Sequence, residues 1–346
     1  MLGVMTLILF IGALKLTTAV VLPFLIAVLL TFVLEPLITL LAKIRIPRTI
    51  AAVVVVFTIG LSVYFIGLIL FNSLKTIATL YPKYELRFTE IYRMIAETFN
   101  LPYDEHLNLF ENLWGHLNVR VKVQTFAFSF SESFLSLLGN VFMVIFLIVF
   151  LLLEIGHFRD RAELAFGKSF QGSIIKMMTA MALHITRYLS IKFFLSLATG
   201  LVVGISFLII GMDFPVVWGF VVFILNFIPT IGSVLAGLGS VLFAVVQFYP
   251  DPVPIISVMI VVLAANMLIG NILEPKIQGD NLGLSPFIIL LSLLGWGWLW
   301  GFTGLILAVP MTVIVKIICE HIPALEPVSI MMGSYKAVKN RSIKSS

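Results

Sequence analysis

Asp213-Phe-Pro-Val-Val-Trp-Gly-Phe-Val-Val-Phe-Ile-Leu-Asn226-Phe-Ile-Pro229-Thr-Ile-Gly232 opens a stretch of 37 uncharged residues that ends at Asp251. A straight helix of that length would run on the order of 50 Å, whereas about 20 apolar residues cross the ~30 Å hydrocarbon core of a bilayer. The stretch therefore reads as membrane-embedded and interrupted. Pro229 removes a backbone donor and collides with the preceding turn, and Gly232 follows it, so the break is placed between Asn226 and Gly232.

The same ruler applies along the chain. Of its 346 residues 60% are hydrophobic and 11% charged, where soluble domains carry about 25% charged residues. The intervals from Lys15 to Glu35, Arg48 to Lys75, Glu132 to Glu154, Lys192 to Asp213 and Asp251 to Glu274 enclose 19, 26, 21, 20 and 22 uncharged residues. Each fits one helix. Asp280 to Lys316 encloses 35, again too many, and carries Gly283-Leu-Ser-Pro286 and Gly295-Trp-Gly297-Trp-Leu-Trp300-Gly301 as breakers. Met1 to Leu14 is short and apolar, without a basic leader or a cleavage site, and reads as the first arm of a helical hairpin. The fold expected is an all-α polytopic membrane protein with about eight transmembrane helices, some interrupted or re-entrant. A soluble catalytic domain is excluded for most of the length.

Basic residues set the orientation. Lys43, Arg45 and Arg48 crowd one short loop, which the positive-inside rule places in the cytoplasm. The expected organisation is three spans in 1–71, a small helical extracytoplasmic module in 72–133, a fourth span in 134–155, a cytoplasmic amphipathic connection in 156–192, a membrane core with broken helices in 193–320 and a basic cytoplasmic tail in 321–346. Both termini then lie inside. The module holds six basic and seven acidic residues and a helical pattern through Leu74, Ile77, Tyr81, Tyr84 and Phe88. The connection carries an apolar stripe of Ile174, Met178, Met181, Ile185 and Tyr188, which suits a helix lying on the membrane surface or a gate over a cytoplasmic entrance.

No enzyme motif is found: there is no phosphate loop, no His-Glu-x-x-His and no Gly-x-Ser-x-Gly. The single cysteine, Cys319, forms no intrachain disulfide, and His106 and His116 are not at metal-ligand spacing. No cofactor, no metal and no nucleic-acid partner are expected. What stands out is polarity in hydrocarbon, where a carboxylate at a helix centre costs about 2.5–3.5 kcal/mol on the insertion scale. Asn266, Gly270 and Glu274 recur at intervals of four and share a helix face, with Asn271 beside them. A helix stopping at Pro275 would leave carbonyls unpaired near these groups, and Asn226 with Pro229 is the matching break in the preceding span. The candidate substrate-binding residues are Asn226, Pro229, Thr230, Asn266, Asn271 and Glu274, and the helix-breaking set is Pro229, Gly232, Pro275, Gly283 and Pro286. The competing reading has Glu274 capping a helix at the interface near Lys276, with the amides joining helices. Gly200 with Gly204, and Gly297 with Gly301, would let helix backbones approach closely. Trp296, Trp298 and Trp300 suit an interfacial aromatic belt or a pore lining.

The run Val217 to Leu235 around Asn226 and Pro229, with Gly270-Asn-Ile-Leu-Glu-Pro-Lys276-Ile-Gln-Gly279, Leu282-Gly-Leu-Ser-Pro286, Leu291-Ser-Leu-Leu-Gly-Trp-Gly-Trp-Leu-Trp-Gly301 and Ala308-Val-Pro310, closely resembles the autoinducer-2 exporter family. The similarity extends in outline over nearly the whole chain and is most specific in the C-terminal half. Glu35 departs from it, standing where an Asn is common before Pro36. The resemblance implies a multi-pass protein of the bacterial inner membrane that exports autoinducer-2, with sodium/proton antiport described for some relatives, and a homo-oligomer, pentamers included. Its characteristic positions fall here on Asn226, Pro229, Gly232, Asn271, Glu274, Pro275, Gly279, Gly283 and Pro286. Three functions follow as expectations: export of a small polar solute, monovalent cation/proton antiport, or a non-transporting membrane scaffold. Autoinducer-2, small and polyhydroxylated, would call for amide donors and acceptors, which Asn226, Asn266 and Asn271 provide.

Overall fold

A computed structural model of the chain describes residues 2–99, 139, 141–152, 154, 181–278 and 283–334. Among them the secondary structure is helical, apart from one isolated bridge between Leu284 and Gly333. The helices are α1 (Leu2–Leu16), α2 (Thr18–Lys43), α3 (Arg48–Phe99), α4 (Val141–Leu152), α5 (Met181–Ile210), α6 (Pro215–Leu225), α7 (Ile231–Phe248), α8 (Pro252–Ala265), a π turn (Asn266–Leu273), α9 (Glu274–Gln278), α10 (Pro286–His321) and α11 (Glu326–Met332). Among the described residues six stretches are long and apolar enough to cross a membrane: Thr18–Lys43, Arg48–Ser73, Met181–Ile210, Ile231–Phe248, Pro252–Ile277 and Pro286–His321. The chain is an all-α polytopic membrane protein. Side chains such as Leu208 and Ile209, 65% and 81% exposed, are what a lipid-facing helix surface presents.

Two long uncharged stretches are helical hairpins. In the first, α6 has 11 residues, about 16 Å, and reverses into α7 so that Trp218 meets Gly239. In the second, α10 folds back at Trp300 and Gly301, where φ/ψ of −125°/17° and 61°/−138° leave helical space. Trp296 Nε1 then donates to Thr312 Oγ1 at 3.1 Å and Lys316 Nζ to the Gly283 carbonyl at 3.0 Å, 16 and 33 residues apart in sequence. Both reversals rest on a glycine: Gly232 lies against the carbonyl of Leu225, and Gly304 against that of Trp296, where no side chain fits.

The described residues form two compact units, one of 1–60, 140–195 and 273–346, the other of 61–139 and 196–272. In the first, Leu29 and Val33 of α2 pack with Ile185, Tyr188 and Leu189 of α5 and Leu307 and Val313 of α10. Ala27, Leu34 and Ile38 of α2 pack with Ala51 and Val55 of α3 and Ile148 and Leu152 of α4. In the second, Val203 and Phe207 of α5, Val222 of α6, Ala236 and Ala244 of α7, and Val258 and Ala265 of α8 form the interior. Lipid gives little hydrophobic drive between helices, so close backbone packing carries the association. Gly200 and Gly204 of α5 accordingly face Gly219 of α6, and a Cβ at Gly200 would stand 2.6 Å from the Gly219 carbonyl.

Three expectations are adjusted. Pro275 does not end its helix, because the chain stays helical to Gln278. The irregularity sits just upstream, where the π turn widens the helix ahead of a proline ring that an α-helix would press against the carbonyl of Asn271. The three tryptophans do not form one belt. Trp296 and Trp300 lie four residues apart on one face with centroids 5.0 Å apart, while Trp298 points away, 66% exposed, with Lys15 Nζ 4.4 Å from its ring. The segment expected as an extracytoplasmic module, 72–133, opens as an unbroken continuation of α3, a helix of 52 residues. Residues 100–133 of that module, His106 and His116 among them, and residues 156–180 and 335–346 lie outside the described residues, as does Gly279.

Candidate functional site

In the second unit the end of α6 shows what Pro229 does. The last turn tightens, with Phe227 N donating to Ile224 O at 3.2 Å and Ile228 N to Leu225 O at 2.9 Å. The chain then turns within three residues: Ile231 N donates to Pro229 O at 2.6 Å, and Thr230 between them has φ 63° and ψ −56°. This is the strained, positive-φ form of the γ-turn. Thr230 itself is exposed. Gly232 is buried, and its contact with the Leu225 carbonyl closes the hairpin.

The break brings polar groups from four helices around one cavity. Thr199 of α5, Asn226 at the end of α6, Ser233 of α7, and Asn266 with Gly270 of the π turn line it, among Val203, Val222, Ala236, Val262 and Ala265. Every lining residue is uncharged. It has room for a water molecule. Asn226 Nδ2 donates to Ser196 Oγ at 3.0 Å, and Ser196 is fully buried. Ser233 Oγ donates to the Thr230 carbonyl at 3.0 Å. Asn271 is exposed and does not line the cavity.

Glu274 belongs to the other unit, in a different setting. Its Oε1 accepts from Lys192 Nζ at 2.6 Å, with the two side chains 19% and 4% exposed. Lys192 stands about 16 Å along α5 from Met181, inside the helix, at the end of the amphipathic connection expected over 156–192. Taking two charges out of water is costly unless they meet, and here they meet. Pro275 beside Glu274 is exposed. Gly283, with φ 56°, accepts from Lys316 and from Ser334 N, and Pro286 opens α10 behind the Ser285 cap. Glu35, which shares Leu-Glu-Pro with Glu274, is also paired: its Oε1 accepts from Arg48 Nη2 at 2.6 Å.

Of the expected contact residues, then, Asn226 and Asn266 share one cavity, Pro229 and Thr230 build its hairpin, and Asn271 and Glu274 stand elsewhere. Thr199, Ser233 and Lys192 were missed. The signal for Lys192 lay in the apolar stripe through Met181, Ile185 and Tyr188, which continues at the same spacing into Lys192, Ser196 and Thr199. Among the described residues no group of three His, Cys, Asp or Glu is placed to hold a metal ion.

Comparison with known proteins places this architecture. The sequence profile described as AI-2E family transporter matches residues 4–324. A provisionally named transport protein of Borreliella burgdorferi is 32% identical over 96% of this chain and 90% of its own length. The AI-2 transport protein TqsA of Escherichia coli K12 is 27% identical over 96% of this chain and 94% of its own. A provisionally named transport protein of Haemophilus influenzae is 27% identical over 98% and 97%. With a matched profile across nearly its whole length, the chain belongs to the AI-2E transporter family.

Proposed function

We propose that this protein exports a small, uncharged polar solute across the bacterial inner membrane, with both termini in the cytoplasm, and that autoinducer-2 is the solute. The observation that carries the reading is the cavity at the α6–α7 break, where two amides and two hydroxyls converge among apolar side chains with no charged residue. Such a lining exchanges hydrogen bonds with hydroxyl-rich solutes and carries no counter-charge for an ion. The name of the TqsA relative points to the same solute. The cavity has room for a water-sized guest, so export of a larger solute calls for it to widen, as gated sites commonly do.

The test is efflux of autoinducer-2 from proteoliposomes containing the purified protein. Asn226→Ala and Asn266→Ala are each expected to cut the rate at least ~10-fold, the cost of about 1.4 kcal/mol of lost binding. Wild-type efflux in both variants would sink the reading. Sodium/proton antiport is a second reading, favoured by the half-buried Glu274 carboxylate on the buried Lys192, since intramembrane ionisable groups mark ion pathways. In the same vesicles it calls for a sodium-driven pH change that Glu274→Gln abolishes.

A further inference from the structure

Gly270 occupies an unfavourable place for a glycine. It lies within a helical segment, where alanine is the more stable residue, and in a π turn, a rare helical form found frequently at functional sites. The space its missing side chain leaves is used. A Cβ at 270 would stand 3.0 Å from Asn266 Oδ1, so the glycine is the floor on which that amide lies. Both residues line the cavity, in which a water-sized body finds room. No hydrogen bond joins the Asn266 side chain to another described residue, although it is half-buried among apolar helices. An amide in that position is satisfied by what enters the cavity.

We infer that Gly270 is the size filter of the solute site: it holds the Asn266 amide in its binding position and leaves the slack beside which a solute passes that amide. This rests on the reading of the cavity as the solute site. It makes position 270 specificity-determining, with the side-chain volume there setting both the fit of the solute and the angle at which Asn266 meets it.

The experiment is autoinducer-2 efflux from proteoliposomes with Gly270→Ala, Gly270→Ser and Gly270→Leu, beside Asn226→Ala and Asn266→Ala, with the unfolding temperature of each measured in detergent. Gly270→Ala is expected to raise KM about 10-fold, Gly270→Ser more, and Gly270→Leu to abolish efflux, while Gly270→Ala unfolds at the same or a higher temperature than the wild type. Lost transport with undiminished stability is what a purely structural glycine cannot give. Wild-type efflux in the Ala and Leu variants, with both Asn variants impaired, would overturn the filter and leave the solute site standing. Normal efflux in the Asn variants as well, or none from the wild type, would overturn both.

Discussion

A lysine 3% exposed inside an apolar helix is tolerable only with its counter-charge at hand. Lys192→Met alone strands the Glu274 carboxylate, and a loss of about 3–5 kcal/mol is expected, whereas Lys192→Met with Glu274→Met replaces both charges and is expected to unfold near the wild-type point. Unfolding in detergent or graded denaturant separates the two; equal losses would show that the pair acts through packing. Tyr84 offers a second check, beyond the apolar part of α3. Its hydroxyl donates to Asp213 Oδ2 at 2.7 Å, beside Lys83 Nζ at 3.2 Å from the same oxygen. Burial, then the hydrogen bond and charge of Asp213, holds the phenol above the ordinary tyrosine range. The folded state therefore keeps a proton that the unfolded chain gives up near pH 10. The contribution is complete below that pH and is lost as the pH rises above it. Between pH 8 and 11 the unfolding temperature of the wild type should fall more steeply than that of Tyr84→Phe. At this scale the sequence was partly legible: Asn226 and Asn266 stood out as amides in hydrocarbon. Lys192 did not, because a basic residue at the edge of a charged stretch looks the same whether it ends a loop or sits a few turns inside a helix.

The hairpins were legible as too much apolar length for one helix, and Pro229 placed the first reversal. The second was marked only by a crowd of glycines and tryptophans, and which of them turns is decided by backbone freedom at Gly301. Gly301→Ala puts a Cβ on a residue at φ 61° and is expected to destabilise by about 1–3 kcal/mol. Gly232→Ala drives a methyl into the Leu225 carbonyl, and about 1–3 kcal/mol is expected there from overpacking. A thermal shift within error of the wild type in either variant would count against the hairpin it tests. The π turn had no sequence signature. Intervals of four keep Asn266, Gly270 and Glu274 near one face whether the turn is α or π, and the proline that asks for the wider turn was read as ending the helix.

For the molecule as a whole, composition alone settled the membrane class, and charge intervals found the long apolar stretches. Six of these stretches among the described residues are helices long and apolar enough to cross a membrane, and α6, at about 16 Å, is one arm of an interrupted stretch. The orientation is open to a direct check. A fluorescent protein fused after Ser346 should fold and emit, and alkaline phosphatase fused there should be inactive, if the tail is cytoplasmic. Active phosphatase would invert the topology. The order of synthesis adds a constraint through α10. Its arm 286–299 is only about 21 Å long, short of the ~30 Å hydrocarbon core that a spanning helix must cross. The arm cannot settle in the membrane when it leaves the ribosome; it has to wait for 302–321, so the two arms enter together, and a chain terminated near Trp300 should leave the final arm outside the bilayer, open to proteases.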